Sequence, residues 1–104
     1  MSEERWTLRW TVPAYQDLQA AHEYLKSQNP RAASAFARRI RASVEQLAAQ
    51  PEMGRVHESL NPRGRYRYIV VTPYLLIYRL TDDNTVLLIR VWDGRQDPKR
   101  LETE

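Results

Sequence analysis

The run Arg65-Tyr-Arg-Tyr-Ile-Val-Val-Thr-Pro-Tyr-Leu-Leu-Ile-Tyr-Arg-Leu80, continued by Thr81-Asp-Asp-Asn-Thr85 and Val86-Leu-Leu-Ile-Arg-Val-Trp92, decides the fold. Three segments rich in β-branched and aromatic residues are separated by Thr72-Pro73 and by an Asp-Asn turn, the pattern of consecutive antiparallel strands. The middle segment does not alternate cleanly. Leu75, Ile77 and Arg79 fall on one face, and Leu76, Tyr78 and Leu80 fall on the other. A strand that is apolar on both faces lies centrally in its sheet. Helices from elsewhere in the chain are expected to cover one face, and aromatic neighbours, a tail or another molecule the second.

Toward the N-terminus, Trp6, Leu8, Trp10 and Val12 alternate with Thr7, Arg9 and Thr11, which predicts a strand with one buried face. Pro13 is expected to keep Val12 extended and to sit in the first turn of a helix. That helix has an apolar stripe of Ala14, Leu18, Ala21 and Leu25, places Asp17 early, where the macrodipole favours an acid, and ends near Ser27. Asn29 and Pro30 supply the N-cap and first position of a second helix running to about Ala49. Phe36, Ile40, Val44 and Leu47 line its buried face, and Arg31, Arg38 and Arg41 crowd another. Pro51 stops it. From Gln50 to Gly64 no period is sustained, so this segment reads as irregular, with Gly54 available for a backbone conformation that other residues avoid. Beyond Trp92, Asp93-Gly-Arg-Gln-Asp-Pro98 ends regular structure, and 98–104 reads as a frayed tail. The order β-α-α-β-β-β predicts one α+β domain over 1–104: an N-terminal strand and a helical hairpin packed on a small antiparallel sheet, with the first strand pairing with the meander.

The chain of 104 residues has no cysteine, and its histidines, His22 and His57, are isolated, so neither disulfides nor a metal site is expected, and no cofactor. The start Met-Ser-Glu-Glu-Arg-Trp lacks the basic and apolar regions of a signal peptide, and no apolar run approaches a membrane span. The expectation is a cytoplasmic protein without membrane contact. Fourteen of the sixteen basic residues are arginine, the side chain that grips carboxylate or phosphate with a two-pronged fork. Arg55, Arg63, Arg65, Arg67 and Arg79 face only one acid, Glu58, in their stretch, a local charge of +4 suited to an acidic partner or nucleic acid.

These elements, in order and at this spacing, resemble the RelE/ParE superfamily of toxins from type II toxin-antitoxin systems. The resemblance runs from Trp10 to about Arg95. It is carried by Ala14 and Asp17-Leu18 in the first helix, by Asn29-Pro30 and Ala32-Ala33-Ser34-Ala35-Phe36 in the second, and by Pro51-Glu-Met-Gly-Arg55. Arg67 opening a strand, Pro73-Tyr74 and Tyr78-Arg79 complete it, and the ParE branch is the more similar. That branch often ends its last strand with Arg-Val-x-His. Here the run is Arg90-Val91-Trp92-Asp93, with aspartate in place of histidine.

The resemblance implies a toxin that arrests growth and is neutralised by a cognate, ParD-like antitoxin. It implies either ParE-like poisoning of DNA gyrase or, alternatively, RelE-like ribosome-dependent cleavage of messenger RNA. Metal-free RNA cleavage needs a base, an acid and cations on the phosphate. Arg55, Arg67 and Arg79 would supply cations, and Asp93 is the candidate base, provided burial raises its pKa from about 4. No lysine occurs between Lys26 and Lys99, and tyrosines 66, 68, 74 and 78 titrate near 10 unless perturbed. Gyrase poisoning needs no proton transfer, only a docking surface of arginines and aromatics. This favours a non-enzymatic toxin, with Arg55, Arg65, Arg67, Arg79, Trp92 and Arg95 as the target-binding set. A third reading is a non-toxic module that retains only antitoxin binding.

Overall fold

The computed structural model describes residues 5–56 and 66–95. Arg65, His57, the remainder of the segment up to Gly64 and the expected tail 98–104 lie outside the described residues. The elements are β1 (Thr7–Trp10), α1 (Val12–Gln28), α2 (Pro30–Ala49), β2 (Arg55–Val56), β3 (Tyr66–Val71), β4 (Tyr74–Leu80) and β5 (Thr85–Asp93). They form one five-stranded sheet in the order β1-β5-β4-β3-β2, which puts the two-faced strand β4 at its centre, as its composition requires. A cis Thr72–Pro73 bond lies in the β3–β4 connection, and Asn84 adopts positive φ in the β4–β5 turn.

Two expectations change. The sheet is mixed, because β1 runs parallel to β5, with Thr7 beside Thr85 and Trp10 beside Leu88. Apolar alternation is blind to strand direction, and a parallel neighbour becomes possible only through a long crossover, here both helices and three strands. The segment expected to be irregular also contributes β2, which pairs Arg55 with Tyr68 and Val56 with Arg67.

The start of α1 differs as well. Val12 is helical and exposed, rather than the last residue of a strand. The cap falls at Thr11, whose hydroxyl accepts a hydrogen bond from the Ala14 N–H (3.1 Å) and donates one to the Ile89 carbonyl (3.0 Å). Asn29 caps α2, accepting from the N–H groups of Arg31 and Ala32.

The helices cover one face of the sheet. Phe36, Ile40, Val44 and Leu47 of α2 and Ala14 and Ala21 of α1 pack on Leu76, Tyr78, Val86, Leu88 and Val91. On the second face Tyr66, Ile77 and Ile89 are buried, with Tyr68, Leu75, Leu87 and Trp92 packed around them, so aromatic neighbours contribute to its cover. A bulge in β5 makes this division possible. Tyr78 pairs with Leu88 and Ile77 with Arg90, leaving Ile89 as the extra residue. The alternation is thereby reset, and Val91 rather than Arg90 joins Val86 and Leu88 against the helices.

β1 pairs with β5 only as far as Leu88, so the outer backbone groups of β5 beyond that point need other partners. Thr11 takes the carbonyls, its N–H bonding Leu88 and its hydroxyl Ile89. Asp17 takes the N–H of Val91. One carboxylate oxygen accepts from the Val91 N–H (3.0 Å) and from Arg90 Nε (2.6 Å), and the other from Arg90 Nη2 (3.1 Å). Asp17 thus lies past the first turn of α1 and ties that helix to β5, where the sequence suggested an interaction with the helix dipole. Replacing Asp17 by Ala should cost about 2 to 3 kcal/mol, since it removes the carboxylate acceptor of a charged donor and of a backbone N–H. Asp17→Asn, which keeps an acceptor for Val91, should cost less; urea unfolding midpoints of the two variants check the order.

Candidate functional site

The loop after α2 is held by the sheet it precedes. Tyr78 of β4 is fully buried, and its hydroxyl donates to the Pro51 carbonyl (2.8 Å) while accepting from the Gly54 N–H (2.9 Å). A Cβ at Gly54 would lie 2.5 Å from the Tyr78 oxygen and 2.8 Å from the Tyr68 carbonyl oxygen. Glycine is therefore required by close approach rather than by an unusual backbone conformation. Arg67 completes the latch, one guanidinium nitrogen donating to the carbonyls of Gly54 (2.9 Å) and Glu52 (3.2 Å). Burial pushes the Tyr78 phenol above its ordinary pKa, the Gly54 bond and Arg67 opposing this in part. The loop delivers Arg55 to β2, opposite Tyr68.

Register sorts the predicted residues into three places. Residues directly opposite one another in a sheet share a face. Arg55 lies with Tyr68, Arg79 with Tyr66 and Leu87, and Trp92 with Leu75, all on the face without helices. Arg67 lies opposite Tyr78, on the helical side, where it binds the loop. Asp93 and Arg95 sit past the end of the apolar core, beside Tyr74. Arg65 lies outside the described residues. The structure thus places Arg55, Arg79 and Trp92 on one face of the sheet, and separates Arg67 and the Asp93–Arg95 pair from them.

Trp92 is half-buried against the second-face cluster, with the Arg90 guanidinium carbon 5.6 Å from its ring centroid. Its indole N–H is buried and has no hydrogen-bond partner among the described residues. Arg90 therefore bridges Asp17 on α1 and Trp92 on β5. The sequence carried a sign of this arrangement, a lone charge inside the apolar run Val86–Trp92, which in a central strand calls for an opposite charge.

Asp93 does not meet the condition for a base. Its carboxylate accepts from the Arg95 N–H (3.0 Å), Nε (2.9 Å) and Nη2 (2.7 Å), and this hydrogen bonding holds its pKa below the usual carboxylate range. Burial works the other way but is outweighed. Tyr74 is raised above its ordinary value by burial first and by Asp93 second. No cluster of three or more His, Cys, Asp or Glu side chains suited to a metal occurs among the described residues. A groove of about 890 Å³ runs between α1 and α2, floored by Leu18, Phe36, Ile40 and Val44 and rimmed by Tyr15 and His22.

A family model described as the ParE toxin of the type II toxin-antitoxin system parDE matches residues 8–98. The chain belongs to this ParE toxin family. Among curated relatives, Toxin RelE2 of Caulobacter vibrioides is 33% identical over 82 residues, covering 79% of this chain and 88% of that one. Toxin ParE1 of Mycobacterium tuberculosis is 29% identical over 68 residues, covering 65% and 67% respectively. Among solved structures, the chromosomal ParDE toxin-antitoxin system from P. aeruginosa matches with a TM-score of 0.70 at 21% identity, over 86% of this chain and 96% of that one. The toxin-antitoxin complex RelBE2 from Mycobacterium tuberculosis matches with a TM-score of 0.58 at 24% identity, over 86% and 98%. The two helices on a mixed sheet are thus the fold of ParE-family and RelE-family toxins. No helix among the described residues is long and apolar enough to cross a membrane.

Two outcomes follow for this ParE-family chain. Tyr78→Phe removes both latch bonds of the hydroxyl and should cost about 1 to 3 kcal/mol in urea unfolding, with hydrogen exchange of the Gly54 amide rising more than that of the Leu76 amide. The Asp93 carboxyl, followed by carbon-detected NMR, should titrate below an ordinary aspartate, and Arg95→Ala should move its midpoint upward. Because the folded-state pKa is depressed, whatever stability the pair adds is present above the ordinary carboxylate range and is lost as pH falls through the Asp93 midpoint.

Proposed function

We propose that this chain is a growth-arresting toxin that inhibits DNA gyrase by binding it, without nuclease activity of its own, and that a cognate ParD-like antitoxin neutralises it. The observation that carries this reading is the Asp93–Arg95 pair. It occupies the carboxylate that messenger cleavage would need as a base and lowers its pKa, away from the neutral range that suits proton transfer. Tyr78 is no better placed: its hydroxyl is committed to Pro51 and Gly54, and its pKa moves up rather than down. Arg55, Arg79 and Trp92, on one face of the sheet, are of the types that dominate protein–protein hot spots. The apolar groove between α1 and α2 suits an amphipathic helix of the antitoxin. Toxin-antitoxin assemblies among the structural matches support that partner.

The name of the relative Toxin RelE2 makes ribosome-dependent messenger cleavage the competing reading. One experiment separates the two: gyrase supercoiling of relaxed plasmid by the purified chain, run beside cleavage of ribosome-bound messenger. The expected outcome is lost supercoiling or trapped cleaved plasmid with messenger intact. Arg55→Ala should weaken the inhibition while leaving antitoxin binding unchanged. Cut messenger with normal supercoiling would overturn the proposal.

A further inference from the structure

The face of the sheet without helices extends beyond the residues that the sequence singled out. β1 is its outer strand, and the parallel register places Arg9 beside Leu87, which in turn lies beside Arg79. One cross-strand row on this face therefore reads Arg9, Leu87, Arg79, Tyr66, and the next contains Ile77, Tyr68 and Arg55. With neighbouring strands about 4.8 Å apart, Arg9 stands roughly 10 Å from Arg79, and Arg55 roughly 12 Å from Arg79 on the other side. None of the described strand residues on this face is acidic. Arg9 and Arg55 are exposed, and no side-chain hydrogen bond or ion pair of either occurs among the described residues. The carboxyl of Asp83, in the β4–β5 turn, is held low mainly by the side chains of Thr81 and Thr85, and Arg9 contributes least.

Resting on the reading above, we infer that this face is one docking surface from β1 to β2, that Arg9 is its second basic anchor opposite Arg55, and that it fits an acidic protein surface with an apolar centre. The middle of the face decides the class of partner. Leu75 and Leu87 are half-buried and Val70 is 61% exposed, and these aliphatic groups reward contact with apolar side chains but give nothing to a phosphate backbone. Arginines on both flanks of an aliphatic and aromatic centre match carboxylates at the rim of a protein partner.

The test uses the full chain with Arg9→Glu, the milder Arg9→Gln, Arg55→Glu, and Arg38→Glu as a charge-matched control on α2. Arg38 is exposed, and its side chain forms no ion pair or hydrogen bond among the described residues. Growth arrest on induced expression and affinity for purified gyrase are measured, with circular dichroism to verify folding. Arg9→Glu and Arg55→Glu should each weaken both by about tenfold or more, Arg9→Gln should fall between, and Arg38→Glu should match the unsubstituted chain. Gyrase affinity should fall with rising salt, less steeply in Arg9→Glu. If the unsubstituted chain arrests growth but does not bind gyrase, the gyrase reading fails, and the arrest series alone decides for or against the face. The inference is overturned if folded Arg9→Glu arrests growth as well as the unsubstituted chain, if Arg38→Glu loses as much, or if no arrest occurs at all. Arginine-dependent binding of a single-stranded oligonucleotide by this face, with no protein partner, would also overturn it.

Discussion

A nine-residue strand lies beside a four-residue one, and the arrangement of α1 follows from that mismatch. Where β1 turns into α1, the outer edge of β5 would be left with buried, unmatched backbone groups, each costly to desolvate. Thr11 and Asp17 resolve this from the first turns of the helix, so the residues that cap and orient α1 are the same ones that complete the sheet. Because Asp17 also holds Arg90, and Arg90 lies over Trp92, the position of the helix is transmitted to an aromatic residue on the opposite face.

The same economy governs the loop. Tyr78 belongs to the core by its ring and to the loop by its oxygen, while Arg67 spends a guanidinium nitrogen on loop carbonyls. An arginine in an acid-poor stretch can thus be satisfied by main-chain oxygen. The cationic character of the stretch is divided accordingly: Arg67 is structural at least in part, whereas Arg55 is carried outward by the loop that Arg67 secures.

The meander, its centrality, both helices and the cap at Asn29 were legible in the sequence, because each rests on local periodicity or on a single turn residue. The parallel placement of β1 was not, since alternation carries no direction. The bulge at Ile89 was equally hidden: it shows only once the β4 partners are known, yet it decides that Val91 is core and Arg90 is not. Arg55, Arg67, Arg79 and Asp93 could be named from residue type, but their separation onto two sides of the sheet depends on register, and Arg9 joins the first group only through a parallel pairing. Gly54 was recognised as special for the wrong reason, because crowding by a distant tyrosine leaves no trace in its neighbours.

The pairing of the first strand with the last has a temporal side. Thr11 bonds Ile89, 78 positions away, so the loop closed by this contact spans most of the chain, and long-range closure of this kind is slow and comes late in folding. During synthesis, a chain that has not yet produced β5 has neither the neighbour of β1 nor the ligands of Asp17, and the row that joins Arg9 to Arg79 does not exist. The arginine face is assembled by the same event that completes the sheet, so a nascent or truncated chain ending before Thr85 lacks the proposed docking face.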